Sequence, residues 1–217
     1  MGDFFATFSS SSSGWQFMWI ILIFFVAMIA ISIERLIYVF GKANINAGRF
    51  MAEIRKLVAA GDFKKAIALC KSGSEKALPQ VIIAALVEAE KREFVDFRTV
   101  QNAVDEASLS VIPKLGKRTG WLAVLSNVAT LTGLLGTIFG LVVAFKAVGD
   151  PKVAAAGGGT TMLAQGIAIA MFTTLWGLIV AIPGLLVYTV VNNKTQAILD
   201  DIDEHSVKLI HLLTGGK

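Results

Sequence analysis

The sequence predicts an all-α, polytopic membrane protein with three transmembrane helices, whose long helices extend into a helical cytoplasmic region. Two observations carry this. Of 217 residues 55% are hydrophobic and 17% charged, and the mean hydropathy is +0.68. Three stretches, Trp15–Ile33, Trp121–Phe145 and Thr160–Asn193, hold no charged residue, each long enough for the roughly 20 helical residues that a bilayer core demands. The domain plan that follows has four parts. Residues 1–40 form an outer N-terminus and the first span, and residues 41–118 a cytoplasmic helical region. Residues 119–193 form the second and third spans with a short periplasmic turn, and residues 194–217 a cytoplasmic C-terminal helix.

The first span opens on Trp15 and Trp19, placed as an interfacial aromatic belt. No Lys or Arg precedes Arg35, and no small-x-small site follows the apolar run, so the segment is expected to be a retained span rather than a cleaved signal. The Ser9–Ser13 run reads as a flexible lead-in. The span continues as helix past Glu34 and Arg35, which either snorkel to water or pair with neighbours. Of the 20 Lys and Arg, 15 fall between Arg35 and Arg118. The positive-inside tendency therefore puts that stretch in the cytoplasm and the N-terminus outside. Lys146 and Lys152 lie on the outer side, too few to reverse this. The basic residues alternate with Glu and Asp, which suits a solvated helical surface and not a nucleic-acid interface.

The cytoplasmic stretch reads as successive helices. Phe50, Met51, Ile54, Leu57 and Val58 recur at helical spacing. Gly61 suits a left-handed C-terminal cap and Asp62 an N-cap, and Phe63, Ile67 and Cys70 carry the next apolar face. Cys70 is the only cysteine, so no disulfide or cysteine-based metal site forms within one chain, and it reads as a small buried hydrophobe. Pro79 opens another helix. A long amphipathic run from Glu88 to Leu115 is expected to break or kink at Pro113. This region looks too thin to bury much core alone and is expected to pack against copies of itself. The Gly157-Gly158-Gly159 turn leads into the third span, which Thr160 or Thr161 caps. A last amphipathic helix from Lys194 to Leu213 carries His205 and His211, whose spacing does not suit paired metal ligands.

The second and third spans differ from plain anchors. At 100° per residue, Ser126, Ala129, Thr130, Gly133, Thr137, Gly140 and Ala144 share one arc of span two. Gly166, Ala170, Thr173, Gly177, Ala181 and Gly184 share one face of span three, with Thr174 at its edge. Small residues let helix backbones approach, and threonine hydroxyls bond a carbonyl one turn back or a neighbouring helix. The same faces could instead line a polar path around something inserted between copies, and the two readings are compatible. No Asp, Glu, Lys, Arg or His lies inside either stretch. Proton transfer through a membrane normally needs a titratable side chain, so a partner would have to supply one.

At these residues the sequence resembles the MotA/TolQ/ExbB family of ion-channel subunits, and the three-span ExbB and TolQ type within it. The resemblance is carried by Ile33-Glu34-Arg35-Leu36, by Gly61-Asp62 with Ala66, Cys70 and Pro79, by Leu131-Thr132-Gly133-Leu134-Leu135-Gly136-Thr137-Ile138-Phe139-Gly140, and by the run Thr173 to Pro183. It implies an ion, chiefly proton, channel and stator subunit of the bacterial inner membrane. Such subunits form a homo-oligomeric ring, a pentamer, around single-span partners related to ExbD or TolR. The partner supplies the intramembrane Asp, and a TonB-like or other periplasm-spanning protein is worked upon. By motif match, Thr137 and Thr174 correspond to the pore-facing threonines, with Thr173 and Thr130 beside them on the ion pathway. Gly133, Gly136, Gly140, Gly177, Ala181 and Pro183 are assigned to helix packing.

One position departs from the family pattern. Many ExbB and TolQ relatives carry a Glu in span three where Gly166-Ile167-Ala168-Ile169-Ala170-Met171 places Ile169, so the resemblance implies a ring without an acid of its own there. Trp176 in mid-span has no explanation in the sequence. A non-conducting scaffold, whose small-residue faces only assemble helices, is the alternative reading. An intramembrane enzyme is disfavoured by the lack of a nucleophile elbow or HExxH motif, and nothing in the sequence points to a cofactor.

Overall fold

A computed structural model of the protein describes residues 15–91, 96–151, 153 and 158–215. The Ser9–Ser13 run, Lys152 and Gly157 lie outside them. Every element among the described residues is helical: α1 (Trp15–Leu36), a π-helical segment (Ile37–Ala43), α2 (Ala47–Ala59), α3 (Phe63–Ser72), α4 (Ala77–Glu90), α5 (Phe97–Gly116), α6 (Thr119–Val148) and α7 (Gly159–Leu213). Three helical runs, within Trp15–Ala59, Phe97–Val148 and Gly159–Leu213, are long and apolar enough to cross a membrane. The chain forms two compact units, one from Met1–Ile33 with Thr119–Thr189, the other from Glu34–Arg118 with Val190–Lys217.

In the first unit, α1, α6 and α7 pack around Ile21, Met28, Leu122, Ala129 and Val180, each 3% exposed or less. Trp176 packs against this cluster with Phe24, Phe25 and Tyr188. That accounts for an aromatic in mid-span: the indole fills the space among three helices. Phe17 meets Phe139 at a ring-centroid distance of 5.4 Å. Ile23, Val26, Leu131, Leu135, Ile138, Met171, Ile182 and Leu186 point outward and are exposed, as residues facing lipid or other subunits are.

The second unit buries a core of its own, contrary to the sequence expectation that this region is too thin to do so. Helix α4 is its centre: Leu78, Val81, Ile82, Ala85 and Leu86 are 2% exposed or less. Its neighbours are α3 and α5. Met51 and Ile54 of α2, Ile67 and Cys70 of α3, and Val100, Val104 and Leu115 of α5 are buried too. The missing material comes from far along the chain, because Ile198, Ile202, Leu209 and Ile210 of α7 are buried in the same unit.

Several local expectations are corrected. The stretch Lys194–Leu213 is not a separate helix but the end of α7, which passes through Pro183 without ending. Helix α7 begins at Gly159, so Thr160 lies inside its first turn and not before it. The run Glu88–Leu115 is two helices, and α5 continues through Pro113 to Gly116. Proline there forfeits only one hydrogen bond near the helix end. Pro79 stands in the first turn of α4, where its missing N–H has no intrahelical partner to lose. The π-helical segment, one of whose carbonyls, at Gly41, accepts from Lys76 Nζ at 2.7 Å, left no sign in the sequence. Gly61 has φ +76°, the left-handed cap expected of it. Asp62 sits at the N-cap of α3 but its carboxylate is engaged by Lys65 at 2.7 Å. Among the described residues no group of three or more His, Cys, Asp or Glu gathers at metal-binding distance, and His211 packs on Phe97 at 5.8 Å.

Glu34 and Arg35 pair with neighbours in the second unit. The Arg35 guanidinium donates to the Leu115 carbonyl and lies 4.9 Å from the Tyr38 ring centroid, with the residue 3% exposed. Leu115 is in the last turn of α5, whose carbonyls lack helical partners, and a cation there also opposes the helix dipole. Arg118, with φ 63° between α5 and α6, donates from Nη1 to both Glu34 oxygens at 2.8 Å. Both side chains of that pair are about half exposed, which limits it to about 0.2–1 kcal/mol. The buried Arg35 contact is worth more, about 1.5–3 kcal/mol. Arg35→Ala is therefore expected to lower stability by about 2 kcal/mol and Glu34→Gln by less than about 1 kcal/mol, read from denaturant unfolding in detergent. Burial pushes the Cys70 thiol up to about 12 from its ordinary 9.0. The folded thiol keeps its proton where the unfolded one has lost it, so Cys70 leaves stability unchanged below pH 9.0 and subtracts from it above. Maleimide at neutral pH is expected to label Cys70 only after denaturation.

Candidate functional site

The candidate site is the seam between α6 and α7 in the first unit and the hydroxyls along it. Glycine makes the seam because the two backbones touch. A Cβ built on Gly133 would lie 2.9 Å from the Thr173 carbonyl oxygen, and one on Gly177 2.9 Å from the Ala129 carbonyl oxygen. One on Gly140 would lie 3.0 Å from the Gly166 carbonyl oxygen and 3.1 Å from the Ala170 Cβ, and one on Gly136 2.6 Å from the Thr173 Cβ. At Gly166 the obstacle would be the Ala144 methyl, and at Gly184 the Ser126 hydroxyl and the Met28 sulfur of α1. Ala181 is buried and Pro183 is exposed. The small-residue faces of the two helices are thus turned toward each other within one chain.

The threonines divide by exposure. Thr173 is 1% exposed and lies against Gly136. Thr137 and Thr174 are half-buried and Thr130 is exposed. Each hydroxyl donates to a backbone carbonyl: Thr130 to Ser126 at 3.1 Å, Thr137 to Leu134 at 2.6 Å, Thr173 to Ala170 at 2.8 Å. Thr174 reaches across the seam to the Gly133 carbonyl at 3.5 Å, a long contact. A hydroxyl carries one proton and two lone pairs. With the proton committed to the helix, what it offers elsewhere is lone pairs, which suit water or a cation. Thr174 is also the only polar side chain lining an apolar hollow of about 440 Å³ with Ala168, Met171, Phe172, Leu175 and Leu178. Ile169 is half-buried close by in sequence. Two exposed amides, Asn127 on α6 and Gln165 on α7, were not singled out in the sequence; they interrupt the apolar stretches without a charge, which was the signal available.

Residues 74–204 match the MotA/TolQ/ExbB proton channel family, more than half of the chain. The chain belongs to this family. It is 34% identical over 110 residues to the Tol-Pal system protein TolQ of Haemophilus influenzae, covering 49% of this chain and 46% of that one. It is 30% identical over 119 residues to the biopolymer transport protein ExbB of Aquifex aeolicus, covering 55% and 76%. It is also 30% identical over 165 residues to an ExbB-like 3 protein of Synechocystis, covering 75% and 74%. Against TolQ the chain spans about half of the relative's length. With three helices able to span a bilayer, this member of the MotA/TolQ/ExbB family is an ExbB/TolQ-like membrane protein.

The seam ranks its glycines. Gly166→Ala forces the helices apart, since the Ala144 methyl that it meets cannot rotate away. Gly184→Ala meets the Met28 sulfur, the end of a flexible side chain, and the Ser126 hydroxyl, which can turn only by giving up its bond to the Leu122 carbonyl. Gly166→Ala is expected to cost about 1–3 kcal/mol by overpacking and Gly184→Ala clearly less, measured by thermal unfolding in detergent.

Proposed function

We propose that the chain is an ion-channel and stator subunit that carries protons and converts ion-motive force into mechanical work across the periplasm. It does so as a homo-oligomeric ring, a pentamer, around an ExbD/TolR-like single-span partner that contributes the intramembrane Asp. A TonB-like or other periplasm-spanning protein receives the motion. The chain lies in the bacterial inner membrane, with the N-terminus periplasmic and the C-terminus cytoplasmic. Family membership over residues 74–204 is the observation that carries this reading.

The ion pathway runs past Thr137, Thr174 and Thr130, with Thr173 behind them in the seam. Their hydroxyl protons are held by carbonyls, so they face the path as acceptors and favour a cation or its water over an anion. The stretches Trp121–Phe145 and Thr160–Asn193 contain no Asp, Glu, Lys, Arg or His, so the proton-binding group belongs to the partner. The hollow around Thr174 suits an apolar side chain of an inserted helix.

The test replaces hydroxyl by methyl. Thr137→Val and Thr174→Val are each expected to cut proton flux by at least about tenfold, as the loss of one charge-assisted hydrogen bond implies. Flux is measured in membrane vesicles carrying the chain with the single-span protein that copurifies with it, and assembly size on native gels should not change. Full flux in both variants sinks the pathway assignment. If the unaltered chain with its copurifying protein assembles but carries no proton flux, the scaffold role replaces the channel.

A further inference from the structure

The second unit presents two hollows with charged side chains in their lining. Between α2 and α3 lies one of about 560 Å³, lined by Leu57, Ala68 and Leu69 together with Lys56, Lys65 and Glu53. Its lining carries two lysines against one glutamate. Lys65 is also held by Asp62, while Lys56 has no ion-pair partner among the described residues. The other hollow, about 410 Å³, lies between α5 and the end of α7, and Asp105 and Asp203 are its charged groups. Leu109 at its edge is 76% exposed, Val207 48% and Ile112 39%. At the same place the Ser206 hydroxyl, on a residue 4% exposed, has no hydrogen-bond partner.

Exposed large aliphatics are costly on a surface bathed in water, and a contiguous apolar patch there marks an interaction face. A patch and a complementary pocket elsewhere on the same molecule make a heterologous contact, which closes into a ring when the rotation permits. We infer that the α5/α7 face of one copy docks on the α2/α3 hollow of the next, with Leu109 entering between Leu57 and Leu69 and Asp105 and Asp203 meeting Lys56 and Lys65. This rests on the ring proposed above and names the contact that joins its copies outside the bilayer. Such pairs set register and partner choice more than raw affinity.

Disulfide trapping in native membranes tests it. The single cysteine, Cys70, is 1% exposed and its thiol is raised to about 12, so the unaltered chain should stay monomeric on non-reducing gels after mild oxidation. A chain carrying Leu109→Cys and Ala68→Cys together is expected to give a ladder beyond the dimer. The two single variants coexpressed should give dimers only, and Leu109→Cys alone should give none. Adding Asp105→Lys and Asp203→Lys should abolish the ladder, and Lys56→Glu with Lys65→Glu should restore it. No ladder from the double variant, or dimers from Leu109→Cys alone (a symmetric contact or another partner face), overturns the inference. Native gels run in parallel separate the two proposals: an intact ring without the ladder overturns this contact alone, whereas a monomer overturns the ring itself.

Discussion

The backbone contact between α6 and α7 is the constraint on which the membrane unit depends. Inside a bilayer the hydrophobic effect does not drive helix against helix, so association relies on close packing and hydrogen bonds. Gly133, Gly177, Gly140 and Gly166 supply that closeness, because any Cβ at these positions would press on a carbonyl or methyl of the facing helix. Once the two helices are joined in this way, the third has a place to pack: Met28 of α1 meets Gly184, and Trp176 fills what remains.

The seam also decides what the hydroxyls can do. A threonine with its proton in a helix carbonyl is satisfied without a partner, so it can stand in a span at little cost. The same bond fixes its rotamer and turns its free lone pairs away from its own backbone. Thr137 and Thr174, half-buried, keep some of that surface for whatever lies alongside, whereas Thr173 spends it inside the chain. Within the apolar stretches Trp121–Phe145 and Thr160–Asn193 no Asp, Glu or His stands beside these hydroxyls.

The second unit follows different physics. There, burial of apolar surface from water does the work, with α4 apolar on nearly every side and surrounded by its neighbours. Arg35 ties the end of α1 to the last turn of α5, and Glu34 holds Arg118 in its left-handed turn. These two charged residues, at the exit of the first span, thus become supports of the helices that follow.

Helix type, the apolar spans and the small-residue faces were legible in the sequence because they are local: period, span length and residue size need no knowledge of distant residues. Gly61 and Cys70 occupy the roles that their local chemistry suggests or allows. Whether the small faces meet each other or surround something else was not legible, since both arrangements ask for the same residues at the same spacing. The tertiary structure places them against each other within one chain. It likewise decided that Ile198 to Ile210 complete the core of a unit that begins at Glu34, and that Trp176 has a space to fill. Periodicity says which side of a helix wants cover, and only the fold supplies the cover, because the covering residues are distant in sequence.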